Sequence, residues 1–117
     1  KKAFQIKMRA LLKTYRSKIT AVMVGHDHVA GLINFDSLPV IVSGSSQSPD
    51  GGNPVNNVQV GITVKSEIYL NAQPYWVQHV TSGDNVSEFN FIRAKDNKVI
   101  CKAVIQTGMR STQSCVN

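Results

Sequence analysis

The sequence predicts an α/β chain that is mostly β after one N-terminal helix. Three observations carry this. Between residues 2 and 16 the apolar side chains Phe4, Met8, Leu11, Leu12 and Tyr15 recur at i, i+4, i+7, i+8 and i+11, which makes one stripe on a helix. Ile19 to Val24 is a nearly continuous apolar run that stops at Gly25, as a buried strand stops at a turn. From Val29 onward, short apolar or alternating segments are separated by Gly-, Ser-, Asn- and Pro-bearing turns.

Each element follows in order. In helix 1–18, Lys2, Arg9, Lys13 and Arg16 lie opposite the stripe, and a helix of this kind is expected to pack its stripe on a sheet. The apolarity of Ile19–Val24 predicts a strand covered on both faces. Val29–Asn34 and Leu38–Ser43 read as strands joined through Phe35-Asp36-Ser37 as a hairpin, so that 19–43 is a unit of strands. Residues 44–57 form a long loop that starts close to the histidines discussed below. Residues 58–107 are β-rich, with short segments at Val58–Val64 and Glu67–Leu70 and a strand at Tyr75–Thr81. Pro74 excludes a central strand at its own position, and Ser82-Gly83-Asp84-Asn85 is a turn. Phe89–Arg93 and Val99–Ile105 form the clearest hairpin, with Phe89, Phe91, Val99, Cys101, Ala103 and Ile105 on one buried face. Residues 108–117 are polar and read as a tail.

At 117 residues the chain is one domain or part of one, long enough for a core. No apolar run is long enough to span a bilayer. The first residue is not Met and no signal peptide is present, which is compatible with processing or trimming. The formal net charge of +6 is unevenly placed: Lys1, Lys2, Lys7, Arg9, Lys13, Arg16 and Lys18 precede residue 19 with no acid among them, while the remainder is nearly neutral. This describes a basic helix rather than a basic domain, and no basic stretch is interleaved with aromatics in the manner of a specific nucleic-acid binder.

Chemistry concentrates at Gly25-His26-Asp27-His28. On an extended backbone, residues i and i+2 point the same way, so His26 and His28 would converge while Asp27 points away. Neutral imidazole is the commonest metal ligand. A generic His-x-His pair is more often two unrelated surface or capping histidines; the preceding apolar strand and glycine shift the balance toward a site. His79 has no ligand partner at a useful spacing and reads as structural.

Gly25-His26-Asp27-His28 after an apolar strand resembles the last metal-binding motif of the calcineurin-like metallophosphoesterases, closest to their tartrate-resistant, purple acid phosphatase branch. Leu38-Pro39-Val40-Ile41-Val42-Ser43-Gly44-Ser45 is similar to the strand and Ser-Gly turn that follow that motif, and the hairpin from Phe89 to Thr107 resembles the closing strands. The resemblance implies the C-terminal part of a two-sheet αββα sandwich. It also implies hydrolysis of phosphate monoesters at a dinuclear site of iron, zinc or manganese type, with in-line attack by a metal-activated hydroxide. In that site His26 binds one metal and His28 the other, while Gly25 and Asp27 fix the loop. The Asp-x-His, Gly-Asp-x-x-Asp and Gly-Asn-His motifs that supply the family's remaining ligands do not occur in this sequence. The expectation is therefore an N-terminal part of the same enzyme as partner, and no activity from this chain alone. A phosphatase-like scaffold without catalysis and a basic polyanion-binding module are the alternatives.

Cys101 and Cys115 are the only cysteines and lie in no zinc-like spacing. An even count fits one disulfide tying the last strand to the tail, against two buried free thiols. Asn85-Val86-Ser87 is a glycosylation sequon, with Asn85 the acceptor. With the resemblance, these features favour a secreted, lysosomal, vacuolar or periplasmic setting.

Overall fold

The structure is a computed structural model that describes residues 2–25, 27–44 and 62–116, and the backbone of 56–59. Among these residues, helix α1 (Lys2–Thr14) and a 3₁₀ turn (Arg16–Lys18) precede nine strands: β1 (Val22–Val24), β2 (Ala30–Phe35), β3 (Leu38–Ser43), β4 (Asn56–Gln59), β5 (Ile62–Leu70), β6 (Tyr75–Ser82), β7 (Val86–Arg93), β8 (Lys98–Gln106) and β9 (Thr112–Cys115). The first sheet has the order β1-β3-β2-β5-β4 and the second the order β6-β7-β8-β9. Ala30, Leu32, Ile41 and Ile68 of the first meet Tyr75, Phe89, Phe91, Cys101, Ala103 and Ile105 of the second in one core. Among the described residues the chain is thus mixed α/β and mostly β with one N-terminal helix, as the patterning predicts, and its strands form two sheets. Among the described residues, no helix is long and apolar enough to cross a membrane.

The β2–β3 hairpin turns on Asp36 and Ser37, both at positive φ (48° and 70°), as a two-residue turn compatible with strand twist requires. A side-chain bolt fixes this corner to the helix. One Arg16 guanidinium nitrogen, Nη1, donates to the Ile19 carbonyl at 3.0 Å. The other, Nη2, donates to the carbonyls of Ser37 and Met109 at 2.9 and 3.2 Å. At the β7–β8 hairpin, Arg93 Nε and Nη2 donate to the two carboxylate oxygens of Asp96, at 3.0 and 2.6 Å.

Several expectations are corrected. Helix α1 buries none of its residues; Phe4 is 66% and Leu11 53% exposed, so the stripe is not packed on a sheet. The strand predicted over Ile19–Val24 is confined to Val22–Val24, and Met23 is 52% exposed instead of covered. The physical reason is common to both: β1 is the outermost described strand of its sheet, with β3 as its neighbour, and the described residues place no layer over it. The segments at Val58–Val64 and Glu67–Leu70 divide differently, as β4 and one continuous β5. Of the loop 44–57, residues 45–55 lie outside the described residues, and Asn56 and Asn57 already belong to β4. The tail is not free of structure, because residues 112–115 form β9. Val99 is 40% exposed, not inward. The β7–β8 register passes from Phe91↔Cys101 to Ile92↔Val99, so Ile100 is an extra residue that inverts the inward–outward parity beyond it. Asn90 and Ile92 become buried on β7 as well.

Candidate metal centre

β1 and β3 pair in parallel, with Val22, Met23 and Val24 opposite Val40, Ile41 and Val42. Their C-terminal ends therefore lie at the same sheet edge, the edge at which open α/β sheets present ligand-binding loops. This brings the loop after β1, carrying Gly25, Asp27 and His28, beside Ser43 and Gly44 at the end of β3. The Gly44 N–H donates to the Val29 carbonyl at 2.9 Å, and the Val29 N–H donates to the Asp27 carbonyl at 2.8 Å. Gly44 is required by close approach. A Cβ there would lie 2.9 Å from the Asp27 carbonyl carbon and nearer still to its oxygen. The two stretches singled out in the sequence are thus in backbone contact.

Asp27 and His28 are both exposed. They sit in a bend, not in an extended strand, and the Asp27 carbonyl accepts from the N–H two residues on. Asp27 and His28 are therefore not on the extended backbone from which the alternation argument starts. His26 itself lies outside the described residues, and with it the pairing of the two imidazoles. Among the described residues, no three His, Cys, Asp or Glu side chains form a group able to hold a metal. The donor that is described fits a metal in one respect: His28 is an exposed imidazole on a loop pinned by backbone hydrogen bonds, and zinc and iron take such nitrogens.

The other singled-out residues fall elsewhere. Cys101 and Cys115 are bonded to each other, directly opposite across β8 and β9. Asn85 is exposed in the β6–β7 turn at φ 61°, and its carbonyl accepts from the Thr107 N–H at 2.8 Å. His79 is structural: its ring stacks on Phe89 at a centroid distance of 4.5 Å, and its Nε2 is 2.9 Å from the buried Ser87 hydroxyl.

A polar cluster on the first sheet was not foreseen. β2 and β5 pair as Leu32↔Ile68 and then Ile33↔Ser66, so Glu67 is a bulge residue. Its carboxylate accepts from Asn34 Nδ2 at 3.4 Å and Gln113 Nε2 at 3.0 Å, and Lys65 Nζ lies 3.5 Å away. Asn34, Lys65 and Glu67 line an open polar cleft together with Asp36 and Arg110. A bulge re-aims a side chain without leaving a periodic signal in sequence, so alternation could not have located it.

No family model, curated protein or solved structure matches this chain.

Proposed function

We propose that this chain is the C-terminal part of a metal-dependent phosphoesterase of the calcineurin-like, purple acid phosphatase type, acting on phosphate monoesters. One observation supports the reading: the turn bearing Asp27 and His28 and the Ser43-Gly44 turn share the C-terminal edge of parallel β1 and β3, and the close approach of Gly44 to the Asp27 backbone leaves room only for glycine at position 44.

In this reading His26 and His28 each hold one of two metal ions. The ions supply Lewis acidity toward a phosphate oxygen and lower the pKa of bound water. The chain's own residues bind and orient. Gly25 ends the strand, Gly44 lets the Asp27 backbone approach, and the Val29 carbonyl anchors that turn, which sets the direction of His28. Asp27 shapes the loop through its main chain, with its side chain in solvent. An N-terminal part of the same enzyme supplies the carboxylate ligands. Support for such a part comes from the exposed stripe Phe4, Met8, Leu11 and Tyr15, from exposed Met23 and Val24, and from the outer position of β1. Exposed apolar surface of this kind marks an interaction face, and a strand edge without a neighbour among the described residues is a place for a further strand. The disulfide and the sequon fit an extracellular or luminal setting.

The test is made on the purified chain and on the complete enzyme side by side. The complete enzyme is expected to carry about two metals per site and to hydrolyse p-nitrophenyl phosphate. The 117-residue chain with added zinc, iron or manganese is expected to show no turnover above a His26→Ala control. Turnover by the chain alone, or a complete protein without metal and without activity, contradicts the reading.

A further inference from the structure

The segment after β8 is held in two different ways along its length. Its root is fixed by packing and backbone bonds. Gly108 has φ 78°, its N–H donates to the Ile19 carbonyl at 3.3 Å, and a Cβ there would stand 3.0 Å from the Ser17 carbonyl oxygen. The next residue, Met109, donates to the Gln106 carbonyl at 2.9 Å and accepts from Arg16. Its far end is held otherwise. All four residues of β9 are exposed, so the strand contributes no side chain to the core. It is held by ladder bonds to β8, the Val116 N–H on the Ile100 carbonyl at 2.8 Å, the Thr112 hydroxyl on the Val104 carbonyl at 3.5 Å, the exposed Gln113–Glu67 bond at 3.0 Å, and the Cys101–Cys115 disulfide, while the Ser111 hydroxyl donates to Gln113 Oε1 at 3.1 Å within the segment itself. Hydrogen bonds exposed to water contribute little net stability, and edge strands that bury nothing open first.

We propose that residues 111–116 form a redox-released strap: reduction of Cys101–Cys115 frees β9 from β8 while the two-sheet core stays folded. The core does not need the strap, because β8 keeps Cys101, Ala103 and Ile105 buried against the first sheet and keeps its full pairing with β7. The disulfide is open to attack from one side. Cys115 is exposed, whereas Cys101 is 2% exposed. A thiolate of a dithiol reductant attacks the Cys115 sulfur and breaks the S–S bond, and Cys101 leaves as a thiolate that takes up a proton. The second thiol of the reductant then closes on the mixed disulfide and releases Cys115 as a thiol. The reductant ends as a cyclic disulfide, having given up an electron pair and two protons. Release has two consequences. The outer edge of β8 becomes available to another extended segment. Gln113 also leaves Glu67, which frees one carboxylate oxygen in the polar cleft that Glu67 lines with Asn34, Asp36 and Lys65. The strap is closed in an oxidising compartment and open in a thiol-rich one, whichever chemistry the histidine loop performs.

Hydrogen–deuterium exchange on the full 117-residue chain tests this, for the oxidised protein, the protein in dithiothreitol with thiol counting to establish reduction, and Cys115→Ser. Exchange at residues 112–116 is expected to accelerate by about tenfold or more in the second and third samples, with Phe89–Arg93 unchanged. Unchanged protection of 112–116 after full reduction overturns the proposal, because β9 is then held without the bond. Loss of protection at Phe89–Arg93 in step with 112–116 also overturns it, because the disulfide then holds the whole domain and not a strap.

Discussion

Replacing Gly44 with alanine adds one methyl group where the chain end of β3 meets the Asp27–His28 turn. The added Cβ would stand 2.9 Å from the Asp27 carbonyl carbon, where an ordinary contact is at least 3.4 Å, and the carbonyl oxygen is closer still. Relief of the carbon contact alone takes about half an ångström, and the closer oxygen sets a larger withdrawal of the turn. Because both partners are backbone, no rotamer change relieves the overlap. Withdrawal strains the Gly44–Val29 and Val29–Asp27 hydrogen bonds of 2.9 and 2.8 Å together. Overpacking of this size costs about 1–3 kcal/mol, and an exposed loop that can yield places Gly44→Ala at the lower end, about 1 kcal/mol. For a domain of this size that lowers the melting temperature by about 4 °C. The larger effect falls on geometry, since a displacement of about 1 Å in a positioning element is enough to cost roughly a hundredfold in rate. Circular-dichroism melts of the chain and metal analysis of the complete enzyme measure the two effects. A Gly44→Ala protein with unaltered melting and unaltered metal content would refute the argument that position 44 sets the histidine loop.

Three further outcomes are expected. Arg16→Met keeps the aliphatic stem but removes the donors to Ile19, Ser37 and Met109, and should cost about 1–3 kcal/mol in chemical denaturation, with Arg16→Lys recovering part; an unchanged midpoint contradicts the bolt. Arg93, and then the Lys98 N–H, hold the Asp96 carboxyl down at about 2 against an ordinary 3.8. A lowered folded-state value means stabilisation present above about pH 4 and lost as pH falls toward 2, so Asp96→Asn should flatten melting temperature against pH in that window, and an identical slope in both proteins refutes it. Leu11→Glu should leave the melting temperature of this chain within about 2 °C, because the helix buries nothing here, yet block assembly with the N-terminal part; a large loss in the isolated chain would mean the stripe is packed.

What was legible in the sequence was whatever depends on local chemistry. Phe35-Asp36-Ser37 announced a hairpin, and β2 and β3 pair antiparallel around Asp36 and Ser37. The amphipathic period of residues 2–16 gave α1, and Phe89, Phe91, Cys101, Ala103 and Ile105 gave the core of the second sheet. What failed depends on neighbours. The apolarity of Met23 and Leu11 says that these side chains prefer cover, not whether the described chain supplies it. Val99 and Glu67 were missed because a single inserted residue inverts strand parity and no alternation rule anticipates it. Thr112, Gln113 and Ser114 carry no apolar face, so sequence patterning marks β9 as tail; what aligns it is a covalent partner on β8. At the candidate centre, Gly25-His26-Asp27-His28 and Ser43-Gly44 were both visible as motifs, but their contact is a product of parallel pairing, which sequence spacing does not encode.

The most direct test is metal content and phosphate-monoester turnover measured together in the complete enzyme carrying His28→Ala, with Asp27→Asn as control. Exposed His28 carries no part of the core, so the variant should melt as the parent does. It should nevertheless lose metal and rate in parallel, because Zn- and Fe-type sites need a ring nitrogen at about 2.0–2.1 Å that alanine cannot supply. Asp27→Asn, whose described contact to the loop is through its main chain, should retain both metals and most of the rate. A His28→Ala enzyme that keeps two metals and normal turnover would contradict the assignment of this chain to a metallophosphoesterase.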